Sequence, residues 1–150
     1  MKNEIKYEKI LIPIDGSSKS IEAFEYALKF SSAYTDCQLH ILYVIDEDNI
    51  EQVRSHGNES YGDLVNRYEQ QGQNYLNKAF QSAKKINYNL SHIQKKIVKG
   101  NPVEEIVNYA KEFDLIIMAA RGKKHIIEMM MGHVTERVLN LSNIPILIFP

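Results

Sequence analysis

Apolar residues along this chain follow two rhythms. Short, nearly unbroken runs occupy residues 9–14, 38–45, 114–118 and 144–149, and a looser alternation occupies 91–98. Unbroken runs of this length are typical of strands in a sheet covered on both faces. Between them, apolar positions recur at helical spacing. Ile21, Phe24, Ala27, Leu28 and Phe30 or Ser31 mark a helix from Ser18 to about Tyr34. Leu64, Val65, Tyr68, Tyr75, Leu76, Ala79, Phe80 and Ala83 mark a long helix from Tyr61 or Gly62 to about Ile86. Gly72 interrupts that helix; glycine costs about 1 kcal/mol there relative to alanine, which predicts a bend or a close contact. Val103, Ile106, Val107 and Ala110 give a short helix after Gly100-Asn101-Pro102, with the proline suited to the first helical position. Val134, Val138 and Leu141 give the last helix. Residues 46–62 are polar and charged without clear periodicity, so the pattern leaves their conformation open, a mobile connection being one reading.

Strands alternating with helices predict βαβ units and a parallel sheet. Right-handed crossovers place helices on both sheet faces. The expectation is an α/β three-layer sandwich with five parallel strands, in one domain over residues 1–150. No internal repeat, low-complexity segment or linker divides the chain.

Composition narrows the function classes. A formal net charge of −1 gives no bulk attraction to nucleic acid or to a membrane surface. No apolar run approaches the ~20 residues of a membrane helix. The N-terminus is polar, with no signal-peptide apolar core. The single cysteine, Cys37, cannot form an internal disulfide, which suits a reducing cytoplasm. It reads as a small core or near-surface residue rather than a nucleophile, because nothing around it would activate a thiolate.

The chemistry concentrates after the fourth strand. From Met118 to Arg137 the chain places glycines and cations between a buried strand and a helix start. Glycine admits close approach of a ligand, and a helix N-terminus offers unpaired N–H donors with partial positive charge. A phosphate is the obvious guest; a glycine-containing basic connection with no ligand is the plain alternative. Arg121, Lys123, Lys124, His125, His133 and Arg137 stand against Glu128 and Glu136, and read equally as phosphate partners or as a solvated loop. Met129-Met130-Met131 reads as loop or dimer packing rather than a metal site.

These residues carry a family likeness. The loop resembles the nucleotide loop of the universal stress protein family, whose ATP-binding members read Gly-x2-Gly-x9-Gly-(Ser/Thr). Here the same frame reads Ala119-x2-Gly122-x9-Gly132-His133, with the spacing intact and two positions changed. Residues 10–17 resemble that family's first strand and its acidic end, and 42–46 resemble the end of its second strand. Gly100-Asn101-Pro102 resembles the turn before its third helix, and 143–148 its last strand. The likeness runs nearly the whole chain in order.

The resemblance implies strand order 3-2-1-4-5, which puts a topological switch point between the first and fourth strands. It implies an adenine-nucleotide site built from Pro13, Asp15, Val44, Met118, Ala119, Arg121, Gly122, Gly132, His133, Val134 and Thr135. Asp15 would meet ribose or adenine, or else serve only as a turn residue. The Val44 backbone would meet adenine. Gly122 and Gly132 would offer amides to phosphates. The Ala119 methyl intrudes where a glycine leaves space, and His133 replaces a hydroxyl facing the outer phosphates. The ligand would be ATP or AMP, with any Mg2+ held through the phosphates. The resemblance also implies a homodimer through the last strand, from Ile144 to Phe149, since an apolar edge strand invites pairing.

No Walker motif, HExxH motif or Ser-His-Asp order supports dedicated catalysis. Three functions remain, in descending order. The first is a cytoplasmic stress-response protein that binds an adenine nucleotide. The second is a family member that acts only through protein contacts. The third is a hydrolase of the related adenine-nucleotide type.

Overall fold

A computed structural model describes residues 3–123 and 131–150. Strand β1 (Lys9–Pro13) leads to helix α1 (Ser18–Ser31), then β2 (Gln38–Asp46), α2 (Glu47–Ser55) and α3 (Tyr61–Lys85). Strand β3 (Ile93–Gly100), α4 (Pro102–Tyr109), β4 (Leu115–Ala119), α5 (His133–Leu141) and β5 (Ile146–Phe149) complete the chain. All strand pairs are parallel and the order is β3-β2-β1-β4-β5, as expected.

Helix starts follow local chemistry. Ser17, Ser60 and Asn101 each accept the N–H of the residue three positions on, satisfying a donor that the helix cannot. Pro102 occupies the opening turn of α4, as its fixed φ and missing N–H favour. Helix α1 stops at Ser31, short of Tyr34; the hydroxyls of Ser31 and Ser32 both bond back to the Leu28 carbonyl.

The stretch 46–62, left open by the sequence, is largely helical: Asp46 ends β2 and caps helix α2, and α3 begins at Tyr61. Ile50 is the only residue of α2 that is fully buried, with Val53 packed beside it on the core. A nine-residue helix with so narrow an apolar stripe shows no period in the sequence. Smaller shifts occur at strand ends. Strand β2 continues to Asp46, β3 to Gly100, and β5 begins at Ile146 rather than Ile144.

The sheet divides the core into two layers. Ile10, Ile12, Ile41, Tyr43 and Ile117 face Phe24 and Leu28 of α1 and Leu64 and Leu76 of α3. Leu11, Leu42, Ile116 and Met118 face Val103 and Ile106 of α4 and Val138 of α5. Cys37 is buried in the first layer, and burial, helped by Asp114, pushes its thiol up to about 11. It stays protonated at neutral pH, as a packing residue should.

Gly72 marks a close contact, not a bend, since α3 is continuous from Tyr61 to Lys85. A β-carbon at Gly72 would lie 2.4 Å from Cδ1 of Tyr43. Tyr43 is itself buried and cannot yield. Helix propensity alone makes Gly72→Ala stabilising by about 1 kcal/mol. Overpacking against the Tyr43 ring reverses the sign, and the variant should lose about 1–3 kcal/mol in urea denaturation. A variant more stable than the wild type would contradict this packing.

Candidate functional site

The site follows from where the chain leaves β1 and β4. The two strands pair, Ile10 with Leu115 and Leu11 with Ile116. Beyond their carboxyl ends the chain turns to opposite faces: β1 feeds α1 on one layer, and β4 feeds α5 on the other. The backbones diverge and a crevice opens between them, the usual ligand position in an open α/β sheet. Here it is a cavity of about 460 Å³.

The β1 rim is Pro13, Ile14 and Asp15. Asp15 does act as a turn residue, because its Oδ1 accepts the N–H of Ser17 at 3.0 Å. Its second oxygen, Oδ2, reaches across the crevice and accepts the N–H of Lys123 at 2.6 Å. Gly16 sits at φ +87°, a backbone shape that favours glycine and lets the chain turn immediately into α1.

The β4 rim is Met118, Ala119, Arg121, Gly122 and Lys123. The chain returns at Gly132, whose N–H donates to the Ala120 carbonyl at 2.7 Å. Helix α5 therefore starts beside the end of β4. Thr135, buried in its first turn, donates from Oγ1 to the Ala119 carbonyl at 2.8 Å and fixes that placement. Helices α1 to α4 each have a side-chain cap at the N-terminus; α5 has none, because its cap residue is Gly132. Its opening residues, His133, Val134 and Thr135, line the cavity. Uncapped amide donors and the positive end of the helix dipole thus stand opposite a carboxylate.

All eleven residues of the expected site surround this one cavity: Pro13, Asp15, Val44, Met118, Ala119, Arg121, Gly122, Gly132, His133, Val134 and Thr135. Of the basic residues, Arg121, Lys123 and His133 line it, while Arg137 does not. Lys124, His125, Glu128, Met129 and Met130 lie outside the described residues. Among the described residues no three His, Cys, Asp or Glu side chains gather as a metal site. No helix of the described chain is long and apolar enough to cross a membrane.

The sequence did not reveal two of the walls. One is aromatic: Tyr43 from β2 with Tyr68 and Tyr75 from α3, joined by Asn49 of α2, whose amide donates to the Tyr68 hydroxyl at 3.0 Å. Burial, followed by the charge of Tyr75 and its neighbours, pushes the Tyr43 phenol up to about 12, so it remains neutral. The other wall is apolar: Pro102 and Ile106 of α4, beside Leu42 and Met118. Tyr68 and Tyr75 are seven positions apart, two helical turns on one face, and that spacing was the available signal. It reads as ordinary core until the middle of α3 is seen to lie against the crevice.

The cavity therefore has an apolar and aromatic part and a polar part with cations and amides. Comparison with known proteins identifies the family and the fold. The model of the universal stress protein family matches residues 6–150. Universal stress protein MJ0531 of Methanocaldococcus jannaschii is 31% identical over 144 residues, spanning 95% of this chain and 81% of that protein. Protein MJ0577 of the same organism is 30% identical, and its solved structure matches with a TM-score of 0.79 over 96% of each chain. A universal stress protein solved in complex with cAMP matches with a TM-score of 0.71 at 22% identity, over 97% of this chain and 99% of that one. At that identity the last likeness speaks to the fold.

The Thr135 bond to Ala119 holds the uncapped helix end in place. Thr135→Val keeps the shape and removes the donor. It should cost about 1 kcal/mol of stability in chemical denaturation, the net worth of one such hydrogen bond. Stability equal to the wild type would show that α5 is positioned by packing alone.

Proposed function

This chain belongs to the universal stress protein family, and from that premise we propose that its crevice binds an adenine nucleotide, ATP or AMP, in the cytoplasm. One observation carries the reading: the uncapped start of α5 and the Asp15 carboxylate face one cavity across a topological switch point. A nucleotide needs those two ends. Its phosphate suits amide donors at a helix N-terminus, and its ribose hydroxyls suit a carboxylate acceptor. The apolar slot between Pro13, Leu42, Val44, Pro102, Ile106 and Met118 suits the faces of a purine. The complex of a related fold with cAMP supports an adenine mononucleotide as the class of ligand.

The residues fit the phosphate end in part. Gly132 spends its N–H on Ala120, and His133, where nucleotide-binding relatives carry a hydroxyl, is exposed. The donors left at the start of α5 suit a monophosphate better than a triphosphate, and any Mg2+ would be held through the phosphates. The role is that of a sensor or effector-bound protein and not of an enzyme. A reading without nucleotide, through protein contacts alone, draws on one observation: Asp15 already has a partner in Lys123.

Millimolar AMP should decide between them. Ligand at about ten times its Kd adds about 1.4 kcal/mol to the folded state, which raises the melting temperature by several degrees. Asp15→Ala should abolish the rise. An unchanged melting curve for the wild type would favour the protein-contact reading.

We also propose a homodimer through β5. This strand lies at the sheet edge, and all four of its apolar residues are half-buried. Pairing with a second copy about a two-fold axis would satisfy the open backbone edge. Sedimentation at micromolar concentration should give about twice the 17.3 kDa of one chain; a monomer would reject the proposal.

A further inference from the structure

The polar rim of the cavity is fastened to the aromatic wall. Lys123 makes contacts at both ends of its residue. Its N–H donates to Asp15 Oδ2 at 2.6 Å. Its ammonium group bonds the Tyr75 hydroxyl and lies 4.5 Å from the centre of the Tyr75 ring. Tyr75 is a firm anchor, since it rises from the middle of α3 and meets Tyr43 edge-on at 5.7 Å. Its ring also lies so close over Gly16 that a β-carbon there would come within 2.3 Å.

Gly122 completes the closure. A β-carbon on Gly122 would lie 2.2 Å from Asp15 Oδ2. Its backbone therefore rests directly on that oxygen, and only a residue without a side chain can do so. Family resemblance gives Gly122 to the phosphates; in this structure its missing side chain serves Asp15. With Gly122 against it and the Lys123 N–H bonded to it, Oδ2 already has a partner on the rim of the cavity. A ribose hydroxyl that takes the place of that N–H displaces residues 121–123.

We infer that Tyr75 and Lys123 form a latch that closes residues 121–123 over Asp15, and that a nucleotide binds by opening it. This rests on the nucleotide reading of the cavity and adds its regulation. The latch joins the carboxyl end of β1 to α3 through a segment that also forms the β4 rim. Opening it frees the ligand-facing carboxylate and at the same time moves the protein surface around Lys123, which is exposed. Ligand occupancy and surface shape are thereby two readouts of one equilibrium, and each biases the other.

Two variants weaken the latch from opposite sides while leaving the Lys123 N–H in place. Tyr75→Phe removes the hydroxyl and keeps the ring, and Lys123→Ala removes the ammonium from an exposed side chain. Amide exchange at position 123, followed by NMR without ligand, should rise about fivefold in Tyr75→Phe, which loses one such contact, and by at least as much in Lys123→Ala, which loses the ring contact as well. By calorimetry, both variants should bind AMP and adenosine more tightly than the wild type, by the same factor for the two ligands. Unchanged exchange at position 123 would overturn the latch. So would a Lys123→Ala protein that binds AMP more weakly and adenosine unchanged, because Lys123 would then be a phosphate partner. Faster exchange with no binding of either ligand, even in the variants, would keep the latch and reject the nucleotide reading.

Discussion

Parallel pairing of β1 with β4 is the constraint on which the rest of the structure depends. Each strand must hand its chain to a helix, and neighbouring helices cannot share one place on one face. The chain leaves β1 toward the layer of α1 and α3, and leaves β4 toward the layer of α4 and α5. The two exits pull apart at the carboxyl end of the sheet, and core side chains such as Leu42, Ile106 and Met118 line the gap without filling it. The cavity is the geometric remainder of that divergence. Its contents are then set by which residues stand at the exits: Asp15 on one side, and Ala119 to Lys123 with the start of α5 on the other.

Glycine decides how closely the exits approach each other. Gly122 lets the backbone rest on the Asp15 carboxylate, and Gly72 lets α3 lie close enough to β2 for Tyr43 and Tyr75 to meet. The same tyrosines that close the aromatic side of the cavity therefore depend on a glycine half-way along a long helix. This links the packing of the first core layer to the shape of the site: a helix held farther out by one methyl group would carry Tyr75 away from Lys123. A local cost in helix propensity is offset by close packing of α3 on the Tyr43 ring.

Much of this was legible in the sequence, for identifiable reasons. Apolar runs at 9–14, 38–45 and 114–118 announce buried parallel strands because such strands have no solvent side, and the strand order followed once the family frame was recognised. The eleven expected site residues are together because the loop spacing from Ala119 to His133 fixes where the chain returns. Helix α2 was invisible because Ile50 and Val53 alone carry its apolar face. The aromatic and α4 walls were missed for a different reason. Tyr68, Tyr75, Pro102 and Ile106 have apolar patterns indistinguishable from core, and only three-dimensional placement shows that their outer ends meet the cavity. The contact of Lys123 with Tyr75 joins residues far apart in sequence, and no pattern along the chain encodes it.

The central claim is that a nucleotide phosphate sits at the open start of α5 while its sugar meets the end of β1. Residue-resolved NMR of labelled protein during titration with AMP tests it most directly. The amides of Val134 and Thr135 should shift most, together with those of Asp15 and Lys123 across the crevice. The amides of Lys9 and His40, nearer the amino ends of β1 and β2, should stay in place. Shifts confined to any other surface, or none at saturating AMP, would contradict the account.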